Sequence, residues 1–327
     1  MIAGADSVPL ASRLPRPRIS WTATSTAVML VALIVADVSL QPALLSTFQI
    51  GLEVQTALTL VFLGVAQTLV VLVRGIDLSV GGIMVVANVL TATWVGGAGG
   101  SRQLLIVLVL VIGAAMGGFN GVLVAFLGFQ PFVATLATWT IFNGIAIWLL
   151  PTDGGAAPPD LTRVVVGSVG SVPTSFVILA GVFVGWWYLR GTRFGRAMYA
   201  VGSDEERAHL NGVGVRRTKL AVYAFAGLVS AMAGVYLVGT TSTGTPTAGD
   251  GYILQSVAAV VIGGTSLLGG SGGVGLTVMA TFVLTIIADV VSALNLSVWV
   301  AVAASAGLLL AVVSVRSFFE LRWRPEA

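Results

Sequence analysis

Residues 73–90 read VRGIDLSVGGIMVVANVL, placing one arginine and one aspartate between two runs of apolar residues. A carboxylate inside a membrane span is expensive, so Asp77 must be paired, hydrated or used. Gly75, Gly81 and Gly82 bracket it, and glycine lets a helix break where protein or a cavity satisfies the freed backbone groups. Three roles are open to Asp77: pairing with Arg74, capping a broken helix, or orienting water and solute hydroxyls.

Composition sets the class around this stretch. The chain has 327 residues, 57% of them hydrophobic and 9% charged, against about 25% charged in a soluble domain. A membrane-spanning helix needs roughly 20 mostly apolar residues, and such segments follow one another almost end to end. Strict polar and apolar alternation is absent, which argues against a transmembrane barrel. With no cysteine and a single histidine, His209, disulfides, thiolate metal sites and multi-histidine metal sites are excluded. The net charge is +3, but the arginines fall mainly in the gaps between apolar runs. A nucleic-acid footprint would gather them on one folded face.

The spans are expected near residues 25–45, 52–73, 76–94, 102–126, 131–149, 174–188, 220–239, 253–262, 274–291 and 296–315. The third is short, as a broken or tilted element would be. Residues 161–172, which include Arg163 and several glycines, read as interfacial or re-entrant. Gly113, Gly117 and Gly121 recur every four residues, a spacing that permits close helix packing. The loop PTDGGAAPPD, residues 151–160, carries acids and no basic residue, so it reads as external. Trp186, Trp187 and Tyr188 suit an aromatic membrane boundary.

Basic residues orient the chain. Arg13, Arg16 and Arg18 mark residues 1–23 as a retained cytoplasmic arm, and Arg316, Arg322 and Arg324 mark residues 316–327 as a cytoplasmic tail. Between them lies one transmembrane domain, residues 24–315, with a cytoplasmic loop at 190–219. That loop holds Arg190, Arg193, Arg196, Arg207, Arg216, Arg217 and Lys219. Within it SDEERAHL offers a helix start, with Ser203 as N-cap and Glu206 three positions later. Both ends inside require an even number of crossings, and about ten is expected. The glycine-interrupted polar turn at 75–82 is echoed at 263–273, GGTSLLGGSGG. Such weak two-half symmetry with discontinuous helices points to a transport path.

No GxxxxGK[ST] loop is present, and the sole lysine is Lys219. If ATP drives this chain, another subunit hydrolyses it. Neutral hydrogen-bonding groups inside apolar segments are the candidates for a path: Gln67, Ser79, Asn88, Thr135, Thr138, Gln255 and Ser256, with Asp77.

Four motifs in order, GIDLSVGG (75–82), PFVATLAT (131–138), GRAMYAVGSDEERAHLNGV (195–213) and PTAGDGYILQSVAAVVIGGTSLLGG (246–270), resemble the inner-membrane permeases of ribose-type sugar ATP-binding-cassette importers. The resemblance runs from about residue 45 to 315. It implies an all-α, polytopic, type II importer-like fold with two-half pseudo-symmetry. It also implies a homodimer in the bacterial plasma membrane, served by a cytoplasmic ATPase that binds ATP and magnesium and by an extracytoplasmic sugar-binding protein. The chain itself is expected to carry no cofactor, no metal, no nucleic-acid partner and no catalysis. Under the same resemblance Gly202, Ser203, Asp204, Glu205, Glu206, Ala208, His209 and Gly212 form or flank the ATPase-coupling helix. The expected solute is a ribose-like pentose or a related sugar. A nucleoside, a furanosyl signalling compound or a branched-chain amino acid is the alternative within transport, and a non-transporting scaffold or sensor the alternative outside it.

Overall fold

A computed structural model describes residues 21–97 and 102–322. The basic N-terminal arm as far as residue 20, part of the glycine-rich turn after Gly97 and the last five residues lie outside the described residues. The chain is helical almost throughout: α1 (Trp21–Leu40), α2 (Thr47–Leu72), α3 (Val80–Leu90), α4 (Arg102–Ala125), α5 (Pro131–Leu149), α6 (Pro159–Val166), α7 (Thr174–Gly191), α8 (Arg193–Ser203), α9 (Glu205–Leu210), α10 (Val215–Thr241), α11 (Gly249–Ile262), α12 (Val274–Ala293) and α13 (Val298–Arg322). Among the described residues seven helices are long and apolar enough to cross a membrane, and three apolar helices are shorter. The chain is a multi-pass membrane protein.

Where the order of elements differs from expectation, local chemistry accounts for it. The first span ends at Leu40, ahead of Pro42, and Pro42–Leu45 forms a separate 3-10 turn. Ser46 then caps α2 by accepting from the Gln49 amide. The expected interfacial segment at 161–172 divides into the short helix α6 and a two-stranded hairpin, Ser168–Val169 with Val172–Pro173. The short third span begins at Val80 and widens into a π-helical turn over Thr91–Val95.

Two helices form the centre. In α2 and α10, 83% and 67% of the best membrane window is buried inside the protein, against 11% in α1 and α7. Lipid offers helices no hydrophobic reason to associate, so close contact must come from small residues and dispersion. The Gly113, Gly117 and Gly121 stripe supplies it. A Cβ at Gly117 would strike the Tyr223 carbonyl and lie 2.8 Å from the Gly227 Cα, and one at Gly121 would lie 2.9 Å from the Leu220 Cα. Thus α4 lies backbone-to-backbone on α10. The loop expected to be external meets the loop after α10, with Gly154 and Gly244 exchanging two backbone hydrogen bonds of 3.0 and 2.8 Å.

Candidate functional site

The break between α2 and α3 starts with a closed helix end. The Gly75 amide bonds to the Val70 carbonyl and the Arg74 amide to the Val71 carbonyl, both at 3.0 Å, the pairing of a Schellman cap. The left-handed position of such a cap is usually glycine; here it is Arg74, at φ 64°. Its side chain turns away from Asp77. Nε donates to the Gly202 carbonyl (2.7 Å) and Nη2 to the Ser203 carbonyl, at the C-terminal end of α8.

The segment around Asp77 is held by side chains from four elements. Its Oδ1 accepts from the Ser79 amide (2.8 Å) and the Ser79 hydroxyl (2.6 Å), and Asn120 of α4 donates to that hydroxyl at 2.6 Å. The Gln67 amide of α2, oriented to satisfy both its polar atoms, donates to the Asp77 carbonyl (2.8 Å) and accepts from the Asp77 amide (3.3 Å). Thr135 of α5 accepts from the Leu78 amide (3.0 Å) and bonds to the Ile76 carbonyl (3.1 Å). These side chains supply the partners that the interrupted helix no longer gives its backbone. Gln67, Asp77, Ser79, Asn120 and Thr135 are all fully buried. Asp77 Oδ2, Asn120 Oδ1 and the Tyr223 hydroxyl have no protein partner, and a Cβ at Gly75 would lie 2.5 Å from that hydroxyl. The cluster is a closed knot of polar groups at the root of α3.

The second break repeats the first in backbone. Thr265 N bonds to the Val260 carbonyl (3.1 Å) and Gly264 N to the Val261 carbonyl (2.9 Å), with Gly264 at φ 74° in the left-handed position. Thr265 then accepts from the Gly273 amide (3.2 Å), ahead of α12. Both breaks converge on the end of α8. The Gly270 amide donates to the Leu72 carbonyl at 3.1 Å. A Cβ at Gly202 would collide with that carbonyl and stand 2.5 Å from the Gly270 nitrogen.

The expected 190–219 loop consists of the last two residues of α7, then α8, α9 and the start of α10. Thr192 caps α8 through the Gly195 amide. The cap of α9 is Asp204, which accepts from the Arg207 amide at 2.9 Å, and not Ser203. Ser203 ends α8 and its hydroxyl donates to the Tyr199 carbonyl. Both residue types cap helices well; two helices that abut leave only the second one free to do so. The bond from the Arg207 amide, with the charge of Arg207 behind it, holds the Asp204 carboxyl below the usual aspartate range. Gly202 and Ala208 are buried as anchors, while Ser203, Glu206, Arg207, His209 and Gly212 face outward. Glu205 binds Lys219 at 2.7 Å. Beside this face lies a cavity of about 770 Å³ between α9, the start of α10 and the end of α4, lined by Glu206, His209, Arg216 and Phe126 among others. Leu210 projects from the same face, 78% exposed.

The remaining candidates lie elsewhere. Asn88 accepts from the Thr245 amide (2.8 Å) and so ties α3 to the loop before α11. Thr138 and Ser256 bond to carbonyls of their own helices. Gln255 lines a separate cavity of about 260 Å³ with Thr56 and Tyr252. Asp37 and Asp289 approach Glu53, well apart in sequence from the knot. Sequence reasoning missed Asn120, Tyr223 and Leu210. A lone amide inside the Gly117 and Gly121 stripe was a usable signal for Asn120; nothing in the sequence marked Tyr223.

Known proteins match this sequence across most of its length. The family described as branched-chain amino acid transport system / permease component matches residues 53–316. The ribose import permease protein RbsC of Haemophilus influenzae is 36% identical over 261 residues, 77% of this chain and 79% of that protein. The fructose import permease protein FrcC of Rhizobium meliloti is 35% identical over 76% of this chain and 71% of that protein. The D-allose transport system permease protein AlsC of Escherichia coli is 30% identical over 80% of this chain and 81% of that protein. No solved structure gives a significant match. The matched span includes both helix breaks, the polar knot and the α8–α9 element, and the chain therefore belongs to this family of transport-system permease components.

Proposed function

We propose that the chain is the membrane-spanning subunit of an ATP-driven importer that moves a monosaccharide, a ribose-like pentose or a related sugar, by alternating access. Relatives named for ribose, fructose and allose import support the sugar class. Two copies would enclose the path, in the bacterial plasma membrane with both termini cytoplasmic. A separate ATPase would dock on Ser203, Asp204, Glu205, Glu206, His209 and Gly212, with Gly202 and Ala208 as the buried seat, and an extracytoplasmic binding protein would deliver the sugar. α5 offers a second copy an apolar face, with Ile141, Ile145 and Trp148 exposed.

The observation that carries the reading is the bond pair from Arg74 to the Gly202 and Ser203 carbonyls. Force applied to α9 by closing ATPases would reach the root of α3 through one side chain, and the root of α12 through the Gly270 contact. In this mechanism Asp77, Ser79, Gln67 and Thr135 hold the break in shape while it moves, and Thr138, Asn88, Gln255 and Ser256 are left as candidates for weak contact with sugar hydroxyls. A branched-chain amino acid is the second reading, favoured by the family's description. The test is solute-stimulated uptake in proteoliposomes holding permease, ATPase and binding protein, against pentoses, hexoses, nucleosides and leucine. Sugar uptake abolished by charge removal over residues 203–209, with assembly of the membrane domain intact, is the expected result. Uptake of leucine alone, or of no solute, overturns it.

A further inference from the structure

Between α2, α7 and α10 lies a groove of about 550 Å³ whose lining is almost wholly apolar, with Phe62, Val65, Phe225 and Val229 as its floor. Its outer wall is a stretch of α7 from Ile178 to Leu189, about 16 Å of helix. Gly181 and Gly185 line that wall, and a Cβ at either would meet open space. The groove is therefore unfilled by the described residues along the length of a lipid tail. At one end it is ringed by Trp186 and Tyr188, residue types that settle at the headgroup level of a membrane.

Charge appears where the aromatic ring ends. Arg190 follows Leu189 directly, Arg193 opens α8, and Arg196 folds back so that Nη1 donates to the Gly191 carbonyl at 2.7 Å. All three are exposed. Ion pairs among the described residues engage Arg102, Arg163, Arg207 and Lys219 and none of these three. An apolar slot of acyl length, closed by aromatics and crowned by arginines that have no acidic partner among the described residues, is complementary to an anionic amphiphile.

We infer that this groove binds one acyl chain of an anionic phospholipid from the cytoplasmic leaflet, with its phosphate held by Arg190, Arg193 and Arg196. The choice of leaflet rests on the proposed cytoplasmic placement of α8 and α9. The lipid would sit at the hinge joining α7 to α8, so that leaflet charge would bias the element that couples to the ATPase.

The test is mass spectrometry of lipids retained by the full-length chain purified in mild detergent, compared with the membrane it came from. Phosphatidylglycerol or cardiolipin is expected to be enriched over phosphatidylethanolamine, with each arginine removed costing roughly fivefold of that enrichment. R190Q/R193Q/R196Q would abolish the preference for anionic lipid, whereas G185W would displace the lipid altogether with the arginines in place. The arginines are exposed, so the triple variant remains informative even where G185W fails to fold. Retained lipid with the composition of the bulk membrane overturns the proposal. So does disulfide formation between two copies carrying G185C, which would make a second chain the occupant. Lipid retention is read without transport: loss of enrichment with intact sugar uptake refutes this site alone, and enrichment without sugar uptake refutes only the transport reading.

Discussion

The two helix breaks use one backbone design and different side-chain chemistry. Each closes its first helix with a Schellman cap, with Arg74 or Gly264 in the left-handed position. The first break is then packed with buried polar side chains from α2, α4 and α5, while the second is rich in glycine, has Thr265 as its own buried polar residue and receives single hydroxyls from Thr26 on the Ile262 carbonyl (2.9 Å) and Tyr199 on the Gly272 carbonyl (2.8 Å). An arginine in the left-handed region costs roughly 1–2 kcal/mol relative to glycine. The first break sustains that strain because the side chain reaches the α8 carbonyls; the second meets α8 through the Gly270 backbone and through the Tyr199 hydroxyl, which donates to the Gly272 carbonyl at 2.8 Å. The first break is joined to α8 by a lever, the Arg74 side chain, and the second by contact.

The largest effect is expected where the two meet. Gly202→Ala places a methyl group against the Leu72 carbonyl and the Gly270 nitrogen, both of them backbone that a rotamer change cannot move. We expect a loss of about 1–3 kcal/mol or more in stability, read as a lower melting temperature in detergent, with both breaks displaced from α8. Unchanged melting and unchanged ATPase docking would show that the contact is loose.

Asp77→Ala comes next. It leaves the buried Ser79 amide without its acceptor, and an orphaned buried donor costs about 1–3 kcal/mol. Asp77→Asn keeps one acceptor oxygen and should lose less. If the knot is purely architectural, uptake follows stability in both variants. Uptake lost in Asp77→Asn at normal stability would instead give the carboxylate a direct part in the path.

Exchange at the left-handed position separates lever from contact. Arg74→Gly relieves strain and gives up two bonds to carbonyls near the surface, so stability should change by no more than about 1 kcal/mol while ATPase stimulation by solute is lost. Gly264→Ala should do the reverse, costing about 1–2 kcal/mol with coupling retained. Equal behaviour of the two variants in melting and ATPase assays would dissolve the distinction between the breaks.

The sequence exposed a good deal of this. Apolar runs, the four-residue glycine spacing, the broken element at Gly75 and the charged segment that forms α8 and α9 are all written in local composition. What stayed hidden depends on tertiary register. Arg74 has an acid three residues away, and only its left-handed φ sends the side chain to α8 instead. Asn120 and Tyr223 meet the break because α4 and α10 touch at Gly117 and Gly227, a pairing that no periodicity specifies. Ser203 has the right chemistry for a cap and loses the position to Asp204 because α8 continues through it.

Acid provides the gentlest probe of the lever. The bond from the Arg207 amide, then the charge of Arg207 and, more weakly, that of Arg74, hold the Asp204 carboxyl below its ordinary value of 3.8. A carboxyl with a folded pKa below its unfolded one stabilises α9 fully above the unfolded value and loses that effect as pH falls through the folded one. Hydrogen exchange at the Arg207 amide, corrected for its intrinsic pH dependence, should therefore stay slow down to below pH 3.8 and then accelerate, whereas Asp204→Asn should show no such step. In Arg74→Gly the step should move slightly upward in pH, because one of the charges favouring the carboxylate is gone. Gly264→Ala should leave it in place, since the second break brings no charge to the end of α8. A step that shifts equally in both variants would mean that the two breaks reach α9 by the same means.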